Sequence, residues 1–185
     1  MIHIFGGIDP GKSGCLATIE VSDLDSGRTA VTFYDTPTAE TVKAGKTKLG
    51  NDRHANVYLP HEMAAILRNL NNGGLTKVVL EEALVMPGGA GRTPMPASKA
   101  KEVGLGMGIW VGILAMGGIP FERVHPATWK AKLMAGQPKT KEAAVPFVTS
   151  LYPMAAPHFR GPKGGLLIDR ADALLLAHYA RITSQ

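Results

Sequence analysis

Ile2-His3-Ile4-Phe5-Gly6-Gly7-Ile8-Asp9-Pro10-Gly11 opens the chain, and a second apolar run over residues 15–21 follows Lys12-Ser13-Gly14. Residues 2–8 are mostly apolar and run straight into a Pro-Gly turn, so they read as a buried strand with Asp9 at its end. Residues 15–21 give a second strand and residues 30–34 a third, with a turn over residues 23–27, so the chain begins as an antiparallel meander. Residues 36–56 are polar, contain Lys43, Lys46, Lys48 and Arg53 with Gly45 and Gly50, and read as a long mobile basic loop.

Further along, Leu59, Met63, Ile66, Leu67 and Leu70 fall at helical spacing and stop at Asn71-Asn72-Gly73-Gly74. Residues 77–84 form a β-rich run carrying Glu81 and Glu82 near its end. A Gly- and Pro-rich connection over residues 87–96, with Arg92 as its cation, leads into a long helix over residues 97–116. Residues 121–124 read as a fifth strand, Pro126 begins a helix ending near Gly136, and another runs over residues 139–151. After a loop over residues 153–165, Ala171, Leu174, Leu175, His178 and Ile182 make the stripe of a last helix over residues 168–182. Strands first, then helices alternating with strands, predict an α/β fold: a mixed five-stranded sheet, its first three strands antiparallel, flanked by helices.

The 185 residues, 45% hydrophobic and 19% charged, suit one domain spanning 1–185. Twenty Lys and Arg against fifteen Asp and Glu leave a charge of +5, which favours an anionic partner such as nucleic acid. A single cysteine, Cys15, excludes a disulfide framework and a cysteine zinc cluster and points to a reducing compartment. Residues 1–9 carry no leader pattern, and the apolar run 103–119 is broken by glycines and falls short of a membrane span, so a cytoplasmic protein with no membrane partner is expected.

Acids stand where local structure begins or ends: Asp9 after the first strand, Glu81 or Glu82 at the end of the fourth, Asp169 and Asp172 in the first turn of the last helix. Asp169 and Asp172 are three residues apart, so both project from one side of that turn. If the first and fourth strands are neighbours, their acids meet the helical pair in an oxygen-lined pocket suited to Mg²⁺. Alternation sends Glu81 and Glu82 to opposite faces, so only one joins Asp9. Clustered carboxylates raise one another's pKa unless a cation neutralises them, which favours a metal centre over a bare acid/base pair. Asp9 has a plainer role in its turn, and Asp169 or Asp172 as partner of the helix dipole, whereas a glutamate ionised on a central strand is costly without a partner.

Gly7-Ile8-Asp9-Pro10-Gly11 with Ser13-Gly14, Val79-Leu80-Glu81-Glu82, Pro126 through Trp129-Lys130, and Asp169-Arg170-Ala171-Asp172-Ala173-Leu174-Leu175 together resemble the RuvC-like Holliday junction resolvases of the ribonuclease H-like superfamily. Asp35-Thr36-Pro37-Thr38 and the glycine-rich helix bearing Trp110 are similar to the plastid, monokaryotic-chloroplast type, whereas the last-helix acid pair is closer to bacterial and phage members. The resemblance implies an Mg²⁺-dependent, structure-selective endonuclease that resolves four-way DNA junctions by paired nicks, a crossover junction endodeoxyribonuclease. It makes Asp9, Glu81, Asp169 and Asp172 the catalytic metal ligands, selects Glu81 over Glu82, and gives Lys130 the role of neutralising the scissile phosphate. Two Mg²⁺ per site, with Mn²⁺ able to substitute, would activate water and stabilise the leaving oxygen.

Phosphate contacts supply most of the affinity of such an enzyme, and Lys12, Arg92, Lys99, Lys101, Lys132, Lys139, Lys141, Arg160, Lys163 and Arg170 are the candidates. Trp110 and Trp129 are expected in the core rather than stacked on bases. A four-way junction has approximate two-fold symmetry, which implies a homodimer. Gly104, Gly106, Gly108 and Gly112 make the long helix its interface, or else let that helix pack closely within one subunit. Competing readings are a related nuclease acting on structured RNA and a non-catalytic junction-binding module. An actin-like or sugar-kinase ATPase shares the Asp-Pro-Gly-x-Ser-Gly turn, but 185 residues are too few for its two lobes.

Overall fold

The computed structural model describes residues 1–23, 29–46, 50–82 and 95–184, with backbone alone at 42–44 and 53. Among them, strands β1 (Ile2–Ile8), β2 (Cys15–Ser22), β3 (Thr29–Asp35), β6 (Leu75–Glu81) and β7 (Phe121–Val124) form one sheet in the order β3-β2-β1-β6-β7. β1 pairs antiparallel with β2 and β2 with β3, while β6 lies parallel to β1 and β7 parallel to β6. This is the mixed five-stranded sheet expected from the pattern, and β1, the most apolar strand, lies at its centre.

Alternation along β1 sorts the core into two layers. Ile4 and Ile8, with Leu16, Val78 and Leu80, pack against helices α1 (Pro60–Asn72) and α2 (Ala97–Met116) through Met63, Leu67, Trp110 and Leu114. Phe5, with Cys15, Ala17, Ile19 and Val79, faces the opposite layer: Trp129 of α3 (Pro126–Leu133), Val148 of α4 (Ala144–Leu151) and the buried stripe of α5 (Ile168–Ile182). α5 lies across β1, β2 and β6. It sits so low over β1 that a Cβ on Gly7 would stand 2.2 Å from both the Ala173 carbonyl oxygen and the Ala177 nitrogen. Only glycine permits that approach.

Three expectations are corrected. Residues 36–56 are not a loop: β4 (Thr38–Lys46) and β5 (Asp52–Tyr58) pair antiparallel as a separate two-stranded ribbon, from Thr38 opposite Tyr58 to Lys46 opposite Asp52. Gly45 and Gly50, read as loop markers, take φ of 92° and 80°, Gly45 at the register shift. The helix expected over 139–151 begins late. Thr140 is extended, a 3₁₀ turn covers Lys141–Ala143, and α4 starts at Ala144, which places Pro146 in its tolerant first turn. The loop expected over 153–165 contains a 3₁₀ segment, Pro153–Phe159, because Ala155 and Phe159 bury into the core.

Residues 83–94, which hold Arg92 and most of the Gly- and Pro-rich connection, lie outside the described residues, as does most of the 23–27 turn. Among the described residues no helix is long and apolar enough to cross a membrane. The four glycines of α2 divide by role. A Cβ on Gly106 would clash with the Tyr58 hydroxyl at 2.3 Å and the Pro10 carbonyl at 2.7 Å, so Gly106 serves packing within the chain. Gly104, Gly108 and Gly112 face open space.

Candidate active site

Parity and register bring the acids together. Ile8 pairs with Leu80, so Asp9 and Glu81 occupy the next positions of two adjacent parallel strands, whose spacing is about 4.8 Å. Glu81 follows Val79 onto the α5 side of the sheet, whereas Glu82 falls on the other parity, and this selects Glu81 as the partner of Asp9. The first turn of α5 then lowers Asp169 and Asp172 over the two strand ends. A tight turn fixes Asp9: the Gly11 N–H donates to its Oδ1 at 3.2 Å, and its own N–H donates to the Cys15 carbonyl at 3.0 Å. A Cβ on Gly14 would come within 2.1 Å of the Asp9 carbonyl oxygen, so that turn closes only around glycine.

Burial first, and then the charges of Asp169, Glu81 and Asp172, push the Asp9 carboxyl up to about 7 against the lowering effect of the Gly11 N–H. Glu81 is raised by burial, opposed by a hydrogen bond from Trp129, and raised again by Asp172. Asp172 is raised by burial, opposed by the neighbouring Lys130. The four acids therefore share one electrostatic pocket.

Two more are held by side-chain donors: Trp129 Nε1 donates to Glu81 Oε2 at 2.8 Å, and Lys130 Nζ donates to Asp172 Oδ2 at 3.2 Å. Lys130 also lies 4.8 Å from the centre of the Trp129 ring. Among the described residues no three His, Cys, Asp or Glu side chains form a ready ligating group. The donor set nevertheless fits a hard divalent cation: every candidate ligating atom is a carboxylate oxygen, and Asp172 Oδ1 is buried with no hydrogen-bond partner among the described residues.

This electrostatics has a measurable consequence for the metal-free protein. An acid whose folded pKa exceeds its unfolded one stabilises the fold while protonated, and that stability is lost as pH rises between the two values. For Asp9 the window runs from 3.8 to about 7, with a ceiling of about 4 kcal/mol. In chelator the melting temperature is expected to fall as pH rises from 5 to 8, with Glu81 and Asp172 acting in the same direction, and Mg²⁺ is expected to reverse the fall. Thermal melts at a series of pH values, with and without Mg²⁺, check this; a melting temperature that climbs steadily in chelator contradicts it.

The proposed phosphate contacts scatter more widely. Lys130, Lys139 and Lys141 line a hollow of about 600 Å³ together with Thr140 and Asp172. Lys12 lines a second hollow of about 400 Å³ with Ser13, Thr36 and Asp169, and a third of about 420 Å³ with Lys99 and Tyr58. Its ammonium is paired with Glu102 at 3.1 Å. Lys101 is exposed on α2, and Arg160 and Lys163 are exposed on the segment before α5. Lys132 lies 5.3 Å from the Tyr179 ring, two turns along α5 from Asp172 and away from the pocket. Arg170 is a brace: its Nε and one terminal nitrogen donate to both oxygens of Asp35, and the other to the His158 carbonyl. It ties the end of β3 to the first turn of α5.

Sequence reasoning missed that brace and the Trp129 contact with Glu81. Neither carries a periodic signal, since each joins residues far apart in the chain. Burial raises the Cys15 thiol to about 12, which keeps cysteine out of the chemistry.

No protein-family model and no curated protein matches the sequence. Solved structures do. Thermus thermophilus RuvC in complex with a Holliday junction substrate superposes with a TM-score of 0.53 at 17% identity, over 98% of this chain and 96% of that one. Thermus thermophilus RuvC alone gives 0.51 at 20% identity, over 99% and 97%. The fold is that of RuvC. The yeast mitochondrial Holliday junction resolvase Ydc2 also matches, with a TM-score of 0.45 at 14% identity over 97% of this chain and 84% of that one. Because the match to RuvC runs nearly end to end, the acidic pocket and the sheet that carries it both lie within the shared RuvC fold.

Proposed function

We propose that this chain is a divalent-metal-dependent, structure-selective endonuclease that resolves four-way DNA junctions. The observation that carries the reading is the pocket itself: four acids from three separate elements meet at one end of the sheet, where burial and one another's charge raise the Asp9 carboxyl. Leaving such charge unpaired inside a fold is costly, and a cation offsets it. The RuvC fold adds support, since one of the structures sharing it is described with a Holliday junction substrate.

Asp9, Glu81, Asp169 and Asp172 would hold Mg²⁺, with Mn²⁺ as a substitute. When bound, the metal supplies a lowered pKa for an attacking water and a counter-charge for the leaving 3′ oxygen. Lys130, at the mouth of the pocket, presents its ammonium to the scissile phosphate. Lys139 and Lys141 continue the positive wall along the neighbouring hollow, and Lys12 and Lys99 do so on the opposite side. The ribbon of β4 and β5 is tied to the same rim, where Tyr58 donates to the Pro10 carbonyl at 3.4 Å.

A two-fold substrate needs two cuts, and the open face of α2 is where a second copy fits. Gly104, Gly108 and Gly112 leave room for a close backbone, and Leu105 and Met116 are 52% and 89% exposed beside them. Purified protein given a four-way junction, the matched duplex and a structured RNA is expected to cut the junction in Mg²⁺, and to bind without cutting in Ca²⁺ or chelator. Equal cutting of the duplex, or preference for the RNA, overturns the junction assignment.

A further inference from the structure

Both tryptophans are buried, Trp110 at 1% and Trp129 at 0% exposure, yet their indole N–H groups differ. Among the described residues Trp110 Nε1 has no hydrogen-bond partner, whereas Trp129 Nε1 donates to Glu81 Oε2 at 2.8 Å. A buried indole N–H ordinarily finds an acceptor, and the acceptor that Trp129 has is a carboxylate of the acidic pocket.

We propose that Trp129 is a positioning residue for the divalent cation: its N–H pins one oxygen of Glu81 and turns the carboxylate so that the other faces Asp9 and Asp172. This rests on reading the acidic pocket as a metal centre. The physical case has three parts. A glutamate has three side-chain torsions to freeze when it ligates an ion, and a donor already bound to one oxygen removes much of that freedom. Tryptophan has only two torsions, and the indole carries its N–H in the plane of a rigid bicycle, so full burial of the ring fixes the donor in space. The position is also anchored from both sides, because α3 begins on Pro126, with His125 Nδ1 accepting the Ala127 N–H at 3.1 Å, and the ring packs in the core beneath α5.

The same ring sets a second wall. Lys130 Nζ lies 4.8 Å from its centre and 3.2 Å from Asp172 Oδ2. One buried side chain thus touches Glu81 directly and backs the lysine that touches Asp172. Outer groups of this kind typically account for about 10–100-fold in metal affinity.

The test is Mn²⁺ binding followed by calorimetry on the full chain without DNA. Trp129→Phe keeps a ring under Lys130 and removes the N–H, and it is expected to weaken Mn²⁺ binding about tenfold or more. Trp110→Phe is the matched control, a buried indole whose N–H binds none of the described residues, and it is expected to leave the affinity unchanged. Native affinity in Trp129→Phe, or equal weakening by both variants, overturns the proposal. Should Trp129→Phe fail to fold, the native protein labelled with ¹⁵N-tryptophan gives the answer, its two indole signals told apart by the one missing from Trp110→Phe. Mg²⁺ is expected to shift the Trp129 N–H and leave the Trp110 N–H in place; any other pattern counts against the proposal. A protein that binds Mn²⁺ and cuts no junction fails the nuclease reading alone, and one that cuts junctions while Trp129→Phe binds Mn²⁺ normally fails this inference alone.

Discussion

Asp9→Asn is expected to lower junction cleavage in Mg²⁺ by about a thousandfold or more, a loss of roughly 4 kcal/mol of transition-state stabilisation, while junction binding in Ca²⁺ persists. The substitution keeps the shape of the side chain, and the amide oxygen can still accept the Gly11 N–H, so the turn that holds residue 9 stays closed. What disappears is the charge at the centre of the pocket. The same variant is expected to be more stable than the native protein in chelator at neutral pH, because it relieves a buried carboxyl whose ionised form is opposed by burial and by Asp169, Glu81 and Asp172. A gain of several degrees in melting temperature alongside lost cleavage separates a functional charge from a structural one. If Asp9→Asn cuts junctions at the native rate, or melts lower than the native protein, the metal-centre reading is wrong.

Gly7→Ala is the second large effect, and it acts on the frame. A methyl group there meets main-chain atoms of α5 at 2.2 Å on two sides and the Leu176 carbonyl carbon at 2.7 Å, and main chain cannot step aside as a flexible side chain does. The helix must lift from β1, and a destabilisation of more than about 3 kcal/mol is expected, at the upper end for overpacked sites. Gly6→Ala serves as the comparison. On the opposite face of the same strand its new methyl meets only side-chain atoms, the nearest being Val78 Cγ2 at 3.1 Å, so a far smaller loss is expected. Denaturant unfolding of the two variants provides the measurement, and similar losses would show that the contact between α5 and β1 is not the tight one described here. Because Asp9 follows Gly7 by two residues and Asp172 immediately precedes Ala173, any folded fraction of Gly7→Ala is also expected to bind metal more weakly.

Much of this was legible in the residues themselves. β1, β7, α2 and α5 announce themselves because their signals are local: an apolar run ending in Asp-Pro-Gly, a helical stripe, a proline at an entry. The acids are legible for the same reason, since each stands at the edge of such an element. Choosing between Glu81 and Glu82 takes one further fact, which side of the sheet α5 covers, and strand parity then settles it. The ribbon was not legible. Its lysines and glycines have the composition of a loop, and its order comes from pairing Thr38 with Tyr58 and Lys46 with Asp52 across the turn, which no window of sequence displays. The helix expected from residue 139 failed because Pro146 marks a first turn rather than an interior, and Thr140 keeps the preceding backbone extended. Trp129 was rightly placed in the core, but the direction of one N–H is a tertiary fact.

The strand order β3-β2-β1-β6-β7 places side by side two strands that are more than sixty positions apart, and the helix that roofs them comes almost ninety positions later still. No contiguous fragment short of nearly the whole polypeptide holds Asp9, Glu81 and Asp172 at once. On the function proposed, a nascent or partly unfolded chain therefore has no assembled cutting site. The same topology holds that proposed activity back until the last stretch has docked, and global unfolding removes it at a stroke.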